Sequence, residues 1–289
     1  LGHFTFGFDF AGYTREIIMV ASKKIGLIGG GNMGEALIKG LLQSGHFDIS
    51  QINVSDISRD RLDFLRDTYQ LSTFADNGEV ARGSDVIILA VKPQQMGDVL
   101  AEISAEVKHL PLVISIAAGV TIATIEQGLS KGVPVVRVMP NTPALVLTGA
   151  AAIAGGSHVN SDHIAMTRVL FESVGLVVEV EEAHMDAVTG LSGSGPAYVY
   201  LFMEALTDAG VLMGLSRPVA RDLAVQTTLG AAKLAADSDK HLAALKDQIT
   251  SPGGTTIHGL AVLESGGMRG LLMEAVAEAT QRSKELGKK

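Results

Sequence analysis

Lys24-Ile25-Gly26-Leu27-Ile28-Gly29-Gly30-Gly31-Asn32-Met33-Gly34 decides how the rest of this chain is read. Ile25, Leu27 and Ile28 have the apolar, largely β-branched character of a strand buried on both faces, and residues 35–42 continue with helical spacing. The glycines therefore fall at a strand-to-helix turn. There Gly29, Gly31 and Gly34 fill the three positions of a dinucleotide fingerprint, serving the tight turn, the close approach of backbone to pyrophosphate, and the packing of helix on strand. The phosphates would rest on the free N–H groups at the start of the helix near Asn32, where the dipole is positive. A glycine turn in another kind of α/β protein is the competing reading of this motif taken alone.

Around this stretch lie 289 residues, 47% hydrophobic and 19% charged, enough for two domain-sized cores. The net charge of −8 and the lack of any basic run exclude nucleic acid, whose backbone needs clustered Lys and Arg. Cysteine is absent, which excludes disulfides, thiolate metal sites and thiol nucleophiles and fits a cytoplasmic protein. Apolar stretches are broken by Gly, Asp or Lys well before the roughly 20 residues of a membrane span. Residues 1–18, in which Phe alternates with Gly, Thr and Asp before Met19, read as a leader or tag-like extension. A chain starting at Met19 is expected to keep its fold and activity. The alternative is a short edge strand through Phe4, Phe6, Phe8 and Phe10.

From Met19 onward strands and helices alternate. Strands are expected at 52–55, 85–91, 112–116, 135–138, 150–154 and 176–180, with helices near 59–69, 94–107, 121–128 and 162–174. That order specifies an α/β fold with a doubly wound parallel sheet. After Val180 the pattern is all-α, with helices expected at 197–213, 218–236, 241–249, 256–265 and 270–286. Residues 19–180 thus read as a dinucleotide-binding domain and 181–289 as a helical one. The helical part is so rich in Ala, Leu and Met that its surplus apolar surface suggests a subunit interface, the alternative being a generous monomer core.

Ligands of such sheets bind at the carboxyl ends of the strands. Ala90-Val91-Lys92-Pro93 follows one strand there and Ile116-Ala117-Ala118-Gly119 the next, small residues against which a nicotinamide ring can lie. Lys92 reads equally as a solvated loop lysine. Asp56 lies 22 residues past Gly34, near the spacing at which an acid binds the adenine ribose, yet Ser55, Ser58, Arg59 and Arg61 around it are donors able to hold a 2′-phosphate. Two further stretches, Leu191-Ser192-Gly193-Ser194-Gly195-Pro196-Ala197 and Thr250-Ser251-Pro252-Gly253-Gly254-Thr255-Thr256, read as loops that end where helices begin. Each is either an anion-binding nest or an ordinary capped turn.

Taken together, Gly29 to Gly34, Ala90 to Pro93, Ala117-Ala118-Gly119-Val120-Thr121, Met139-Pro140-Asn141-Thr142-Pro143, Leu191 to Tyr198 and Ser251 to Thr256 resemble Δ1-pyrroline-5-carboxylate reductase, the last enzyme of proline biosynthesis. The resemblance runs in order from Lys24 to about Leu286. It implies a Rossmann domain followed by an all-α dimerisation domain, NADPH or NADH as hydride donor, and 1-pyrroline-5-carboxylate as the small-molecule substrate. It also implies a homodimer through the helical domain, with a decamer of five dimers as the larger assembly, and no nucleic-acid or membrane partner. Position by position it assigns Ile28, Gly29, Gly30, Gly31, Asn32, Met33 and Gly34 to the pyrophosphate loop and Asn77, Ala90, Val91, Lys92 and Pro93 to further cofactor contacts. Ile116, Ala117 and Ala118 become the strip beside the nicotinamide, and Gln248 a cofactor contact in the helical half. Asp56 and Arg59 are the candidates at the adenine ribose, where relatives often carry Ser or Asn-Arg. Glu182, Ser251, Gly253, Gly254, Thr255 and Thr256 are the candidates for substrate binding, and no metal is expected.

The chemistry this implies suits the residues present. A protonated imine is already electrophilic, so hydride transfer to it needs orientation more than strong acid catalysis. Thr189 or Ser194 is the candidate hydrogen-bond partner of the ring nitrogen, whereas His184 and His258 read as helix-surface histidines. A hydroxy-acid or 6-phosphogluconate type reductase would need a lysine between residues 182 and 194, where none occurs. An NAD(P)-sensing scaffold without catalysis has no use for Ser251 to Thr256.

Overall fold

The computed structural model describes Ile17 and residues 20–287. The reading of residues 1–18 as an extension, and its edge-strand alternative, fall outside the described residues except for Ile17, which packs against the apolar core.

Eight strands form one sheet in the order β3-β2-β1-β4-β5-β6-β7-β8. They are β1 (Ile25–Ile28), β2 (Ile52–Ser55), β3 (Ser72–Phe74), β4 (Val86–Leu89), β5 (Leu112–Ser115), β6 (Val135–Met139), β7 (Gly149–Gly155) and β8 (Gly175–Glu179). Along the run β3-β2-β1-β4-β5-β6 every pairing is parallel, with β1 between β2 and β4, so the order reverses beside the glycine turn. That crevice is the switch point at which such sheets bind ligands.

One strand departs from the parallel direction of the expected doubly wound sheet. β7 runs antiparallel to β6, with Met139 opposite Ala152. The link between them holds only a short turn, Thr142–Val146, and is shorter than the dozen or so residues a parallel crossover requires. β8 then returns parallel to β7 through a helix.

Helices α1 (Asn32–Ser44), α2 (Arg59–Tyr69), α3 (Asn77–Arg82), α4 (Met96–Ile103), α5 (Ile122–Gly128) and α6 (Ser161–Glu172) cover the sheet. Leu37, Leu41, Leu65 and Phe171 from α1, α2 and α6 share one apolar cluster, and Val80, Leu100 and Ile125 from α3, α4 and α5 share the other. Alternate strand residues feed the two: Leu27 and Ile88 face the first, Ile28 and Ile87 the second. β3 and α3 were not expected from the pattern. β3 is three residues with no buried member, and α3 is six residues started by Asp76, whose carboxylate accepts the Gly78 and Glu79 N–H groups.

Past β8 the chain enters α7 (Met185–Val188) and a π-helical turn, Thr189–Gly193. Met185 is fully buried in the second cluster. This sheet unit runs to Ser194 and regains residues 279–287 at the end of the chain.

Residues 195–278 form the other compact unit. It contains α8 (Gly195–Leu212), α9 (Arg217–Ala236), α10 (Leu242–Gln248), α11 (Thr255–Ser265) and most of α12 (Met268–Leu286). Only Thr207, Ala220 and Ala224 are buried in it. Leu201, Leu212, Met213, Leu229, Val262 and Met273 are among its large apolar side chains left open in the single chain. So little burial leaves the ordering entropy of the helices largely unopposed within one chain.

Candidate active site

Each glycine of the turn is glycine for a different reason. Gly29 has φ +102°, and a Cβ on it would stand 2.6 Å from the Ala90 carbonyl oxygen. Gly34 lets α1 close against the turn, because a Cβ there would meet the Gly29 oxygen at 2.4 Å. Gly31 is exposed, and a Cβ built on it meets nothing within 4 Å. The fold therefore does not require Gly31 to lack a side chain. Gly31 is also the N-cap of α1, in extended conformation and without a side-chain cap, so the space it leaves lies over unclaimed N–H groups at the positive end of a 13-residue helix. A pyrophosphate fits that cradle.

The Gly30 peptide is clamped from both ends. Its N–H donates to Asp56 Oδ2 at 2.8 Å, and its carbonyl accepts from Arg61 Nε. Arg61 also pairs with Glu35 of α1 and stacks on Phe64, with the guanidinium carbon 4.8 Å from the ring centroid. Tyr69 donates to the other oxygen of Glu35 at 2.9 Å. Asp56 Oδ1 accepts the Ser58 N–H at 2.8 Å. Thus Asp56 and Arg61, expected to address the ribose and its 2′-phosphate, both hold the loop. Arg59, at the exposed start of α2, makes no hydrogen bond to the described residues. Burial works to raise the Glu35 pKa, but the hydrogen bonds from Arg61 and Tyr69 hold it below the usual carboxylate value. The stability this adds is present above the ordinary Glu range and is lost as pH falls through the lowered value.

At the next strand ends Ala90 N–H donates to the Ile28 carbonyl at 2.8 Å and Ile116 N–H to the Leu89 carbonyl at 3.1 Å. These bonds set residues 90–93 and 116–118 beside the glycine turn. Lys92 is exposed at the start of the turn Pro93–Gln95, and Ala118 is exposed while Ala117 is buried. Asn77 is engaged at both ends of its amide, accepting from Ser55 Oγ at 2.7 Å and donating to Glu102 at 2.6 Å.

Glu182 works inside the sheet unit. Its Oε1 accepts the Ile122 N–H at the start of α5 at 2.7 Å and the Arg137 guanidinium at 3.2 Å. Arg137 lies on β6 and is 5% exposed, so Glu182 is the carboxylate that neutralises a buried cation. The second Glu182 oxygen carries no hydrogen bond among the described residues. Glu182 also lines an open cleft of about 570 Å³ between α6 and the ends of β7 and β8, which none of the glycine-turn residues reaches.

The stretch from Leu191 is not the loop expected from its glycines and serines. Helical geometry continues through it as a π turn, in which the Ser194 N–H reaches back to the Thr189 carbonyl at 2.9 Å. The Thr189 hydroxyl donates to the Met185 carbonyl at 2.9 Å, which removes its proton from other use. The Ser194 hydroxyl is unengaged among the described residues. His184 and His258 are both exposed.

In the helical unit, Gly254 is the N-cap of α11, again without a side-chain cap. Gly253 has φ +67°, and a Cβ on Gly254 would stand 2.2 Å from Ser251 Oγ. Gly254 N–H closes the turn on the Ser251 carbonyl at 3.0 Å. The hydroxyls of Ser251, Thr255 and Thr256 and the amide of Gln248 make no hydrogen bond to the described residues. Free helix-start N–H groups and three free hydroxyls make a receptor for a carboxylate.

Comparison with known proteins agrees with both halves. Residues 24–119 match the family model described as NADP oxidoreductase, coenzyme F420-dependent, and residues 182–286 match pyrroline-5-carboxylate reductase dimerisation. The pyrroline-5-carboxylate reductase of Synechocystis sp. is 49% identical over 93% of this chain and 100% of its own length. That of Methanosarcina acetivorans is 46% identical over 93% and 99%. The chain belongs to the pyrroline-5-carboxylate reductase family. Among solved reductases, the Coxiella burnetii structure superposes with a TM-score of 0.88 at 41% identity, covering 91% of this chain and 98% of that one. The Plasmodium falciparum pyrroline carboxylate reductase, with NADP bound, gives 0.82 at 37% identity, covering 92% and 99%.

Within this reductase the structure adds groups that motif reading passed over: Arg137, Glu35, Tyr69 and the structural use of Arg61. A charged residue inside the apolar run Val135-Val136-Arg137-Val138 was the available signal for the first.

Two outcomes are expected. Gly31→Val should keep the melting temperature within a few degrees, since its Cβ meets no protein atom, while weakening NAD(P)H binding at least tenfold by fluorescence titration. Retained affinity would remove the pyrophosphate from this loop. Glu182→Gln should lower stability in urea unfolding by ~1–3 kcal/mol, the cost of leaving the Arg137 charge unmatched in a partly solvated pair; no loss would mean solvent neutralises Arg137.

Proposed function

We propose that this chain reduces 1-pyrroline-5-carboxylate to proline with hydride from NAD(P)H, using the glycine turn for the cofactor and the Ser251-to-Thr256 loop for the substrate carboxylate. The observation that carries the reading is the open space over Gly31 at an uncapped helix start, a feature the fold itself does not need. Family membership and the free donors of the second loop support the rest. A nicotinamide held there would supply a hydride to the imine carbon, the C=N π pair becoming the nitrogen lone pair, so that a protonated imine would give the ring amine.

The residues bind, orient and exclude. N–H groups of Asn32, Met33 and Gly34 take the pyrophosphate, with Ile28 to Gly30 shaping the turn. Residues 90–93 and 116–118 form the wall at the nicotinamide, with Asn77 and Gln248 as further cofactor contacts. The hydroxyls of Ser251, Thr255 and Thr256, with the helix-start N–H groups of Thr255 and Thr256 that the turn through Gly253 and Gly254 sets free, hold the substrate carboxylate, so that binding a non-reacting group fixes the reacting carbon. Glu182 has one oxygen left for the positively charged imine nitrogen. Ser194 is the hydroxyl left to hydrogen-bond it, and Thr189, whose proton is committed, can only accept.

We place the functional boundary near Val180, supported by the dimerisation match over residues 182–286, although the compact units divide after Ser194. The exposed apolar helices support a homodimer through this half, with five dimers making a decamer, in the cytoplasm. Asp56 beside the turn disfavours a 2′-phosphate, whereas free Arg59 favours one.

Cofactor oxidation on adding pyrroline-5-carboxylate tests the function directly. Thr256→Ala should raise KM for the imino acid roughly tenfold, about 1.4 kcal/mol for a hydrogen bond to a charged group, with NAD(P)H affinity unchanged. An unchanged KM would leave this loop an ordinary helix start. Asp56→Ser should shift the kcat/KM ratio toward NADPH by removing the acid; a constant ratio would show that Asp56 serves only the Gly30 N–H.

A further inference from the structure

We propose that Asn141 is a positioning residue of the reductase site, locking the π-helical turn Thr189–Gly193 in the register that presents Ser194. The inference rests on the role given above to Ser194 and extends it to a residue whose amide is committed to Ala150 and Ser192.

A π turn is an unfavourable insertion that persists where its surroundings hold it, and such turns are frequent at functional sites. Here the insertion matters for direction. One residue accounts for about 100° of helical rotation, so relaxation of the wide turn to α-helical geometry would swing Ser194 by roughly a quarter turn. What prevents this is visible in the amide of Asn141. Its Oδ1 accepts the Ala150 N–H of β7 at 2.9 Å, fixing the side chain to the sheet. Its Nδ2 faces Ser192, 3.3 Å from the carbonyl oxygen and 3.2 Å from the hydroxyl. One planar group thus ties a strand to the middle of the wide turn.

The neighbouring residues fit the same purpose. Met139, two residues before Asn141, lies against Gly193, where a Cβ would stand 2.7 Å from the Met139 methyl. At the two ends of the turn, Thr189 is bound to the backbone while the Ser194 hydroxyl is unengaged among the described residues. The turn is therefore held at Thr189, Ser192 and Gly193, and the group it leaves open is the one at its exit.

The test uses the full chain. Asn141→Asp keeps the acceptor for Ala150 and removes the donor to Ser192; Asn141→Ala removes both without adding charge. Either should lower kcat about tenfold or more, a loss of the size expected from misplacing a positioned group, while NAD(P)H Kd stays within about twofold. Ser194→Ala should lower kcat as well, and adding Asn141→Asp to it should cost little more, because both act through one group. Unchanged kcat in the Asn141 variants overturns the proposal. So do multiplying losses in the double variant, no effect of Ser194→Ala, or a parallel loss of cofactor affinity, which marks general destabilisation. Imine reduction by the unaltered chain is the control for the function itself; its absence overturns that reading and this one together, whereas an active chain with indifferent Asn141 variants overturns this one alone.

Discussion

The Gly30 peptide is the point on which the nucleotide half depends. A turn that presents bare N–H groups to an anion must itself be held, and glycine supplies no side chain to hold it. Asp56 takes the N–H of this peptide and Arg61 its carbonyl, so groups from β2 and α2 do what the turn cannot do for itself. Glu35 then pairs with Arg61 through one oxygen and accepts from Tyr69 through the other, which joins the start of α1 to both ends of α2. The arrangement is preorganised before any ligand arrives, and that spares the binding step the ordering cost of a loose loop.

This changes how charge near the adenine end is read. Motif spacing treats Asp56 as a ligand to ribose and the nearby arginines as ligands to phosphate. In the folded chain Asp56 and Arg61 are committed to backbone and to each other's neighbours, whereas the Arg59 guanidinium has no partner among the described residues. Charge on its own does not reveal which of these donors is already engaged.

Much of the fold was legible because burial writes itself in sequence. Val86–Leu89 and Leu112–Ser115, apolar on both faces, admit little but a central parallel strand. The direction of β7 was less legible, since alternation in residues 150–154 carries no sign of polarity; the short β6-to-β7 link held the clue. The π turn was invisible because Ser and Gly are loop residues by propensity, and it takes Asn141, about fifty positions earlier, to hold them helical. The Arg137 partner of Glu182 shows the same limit: it sits on a strand distant in sequence, and no local pattern around Glu182 points to it. The glycine and threonine stretches, by contrast, were readable as helix starts, because that geometry is local to them.

The helical unit, with three buried residues, has a consequence for how the protein behaves when dilute. In the homodimer proposed above, its stability is borrowed from association, so the folded fraction would follow mass action rather than a fixed free energy of one chain. Dilution then acts as a denaturant, and heat resistance rises with protein concentration. In a cell, the amount of working catalyst falls more steeply than the amount of chain whenever synthesis drops, which makes abundance itself a control on turnover.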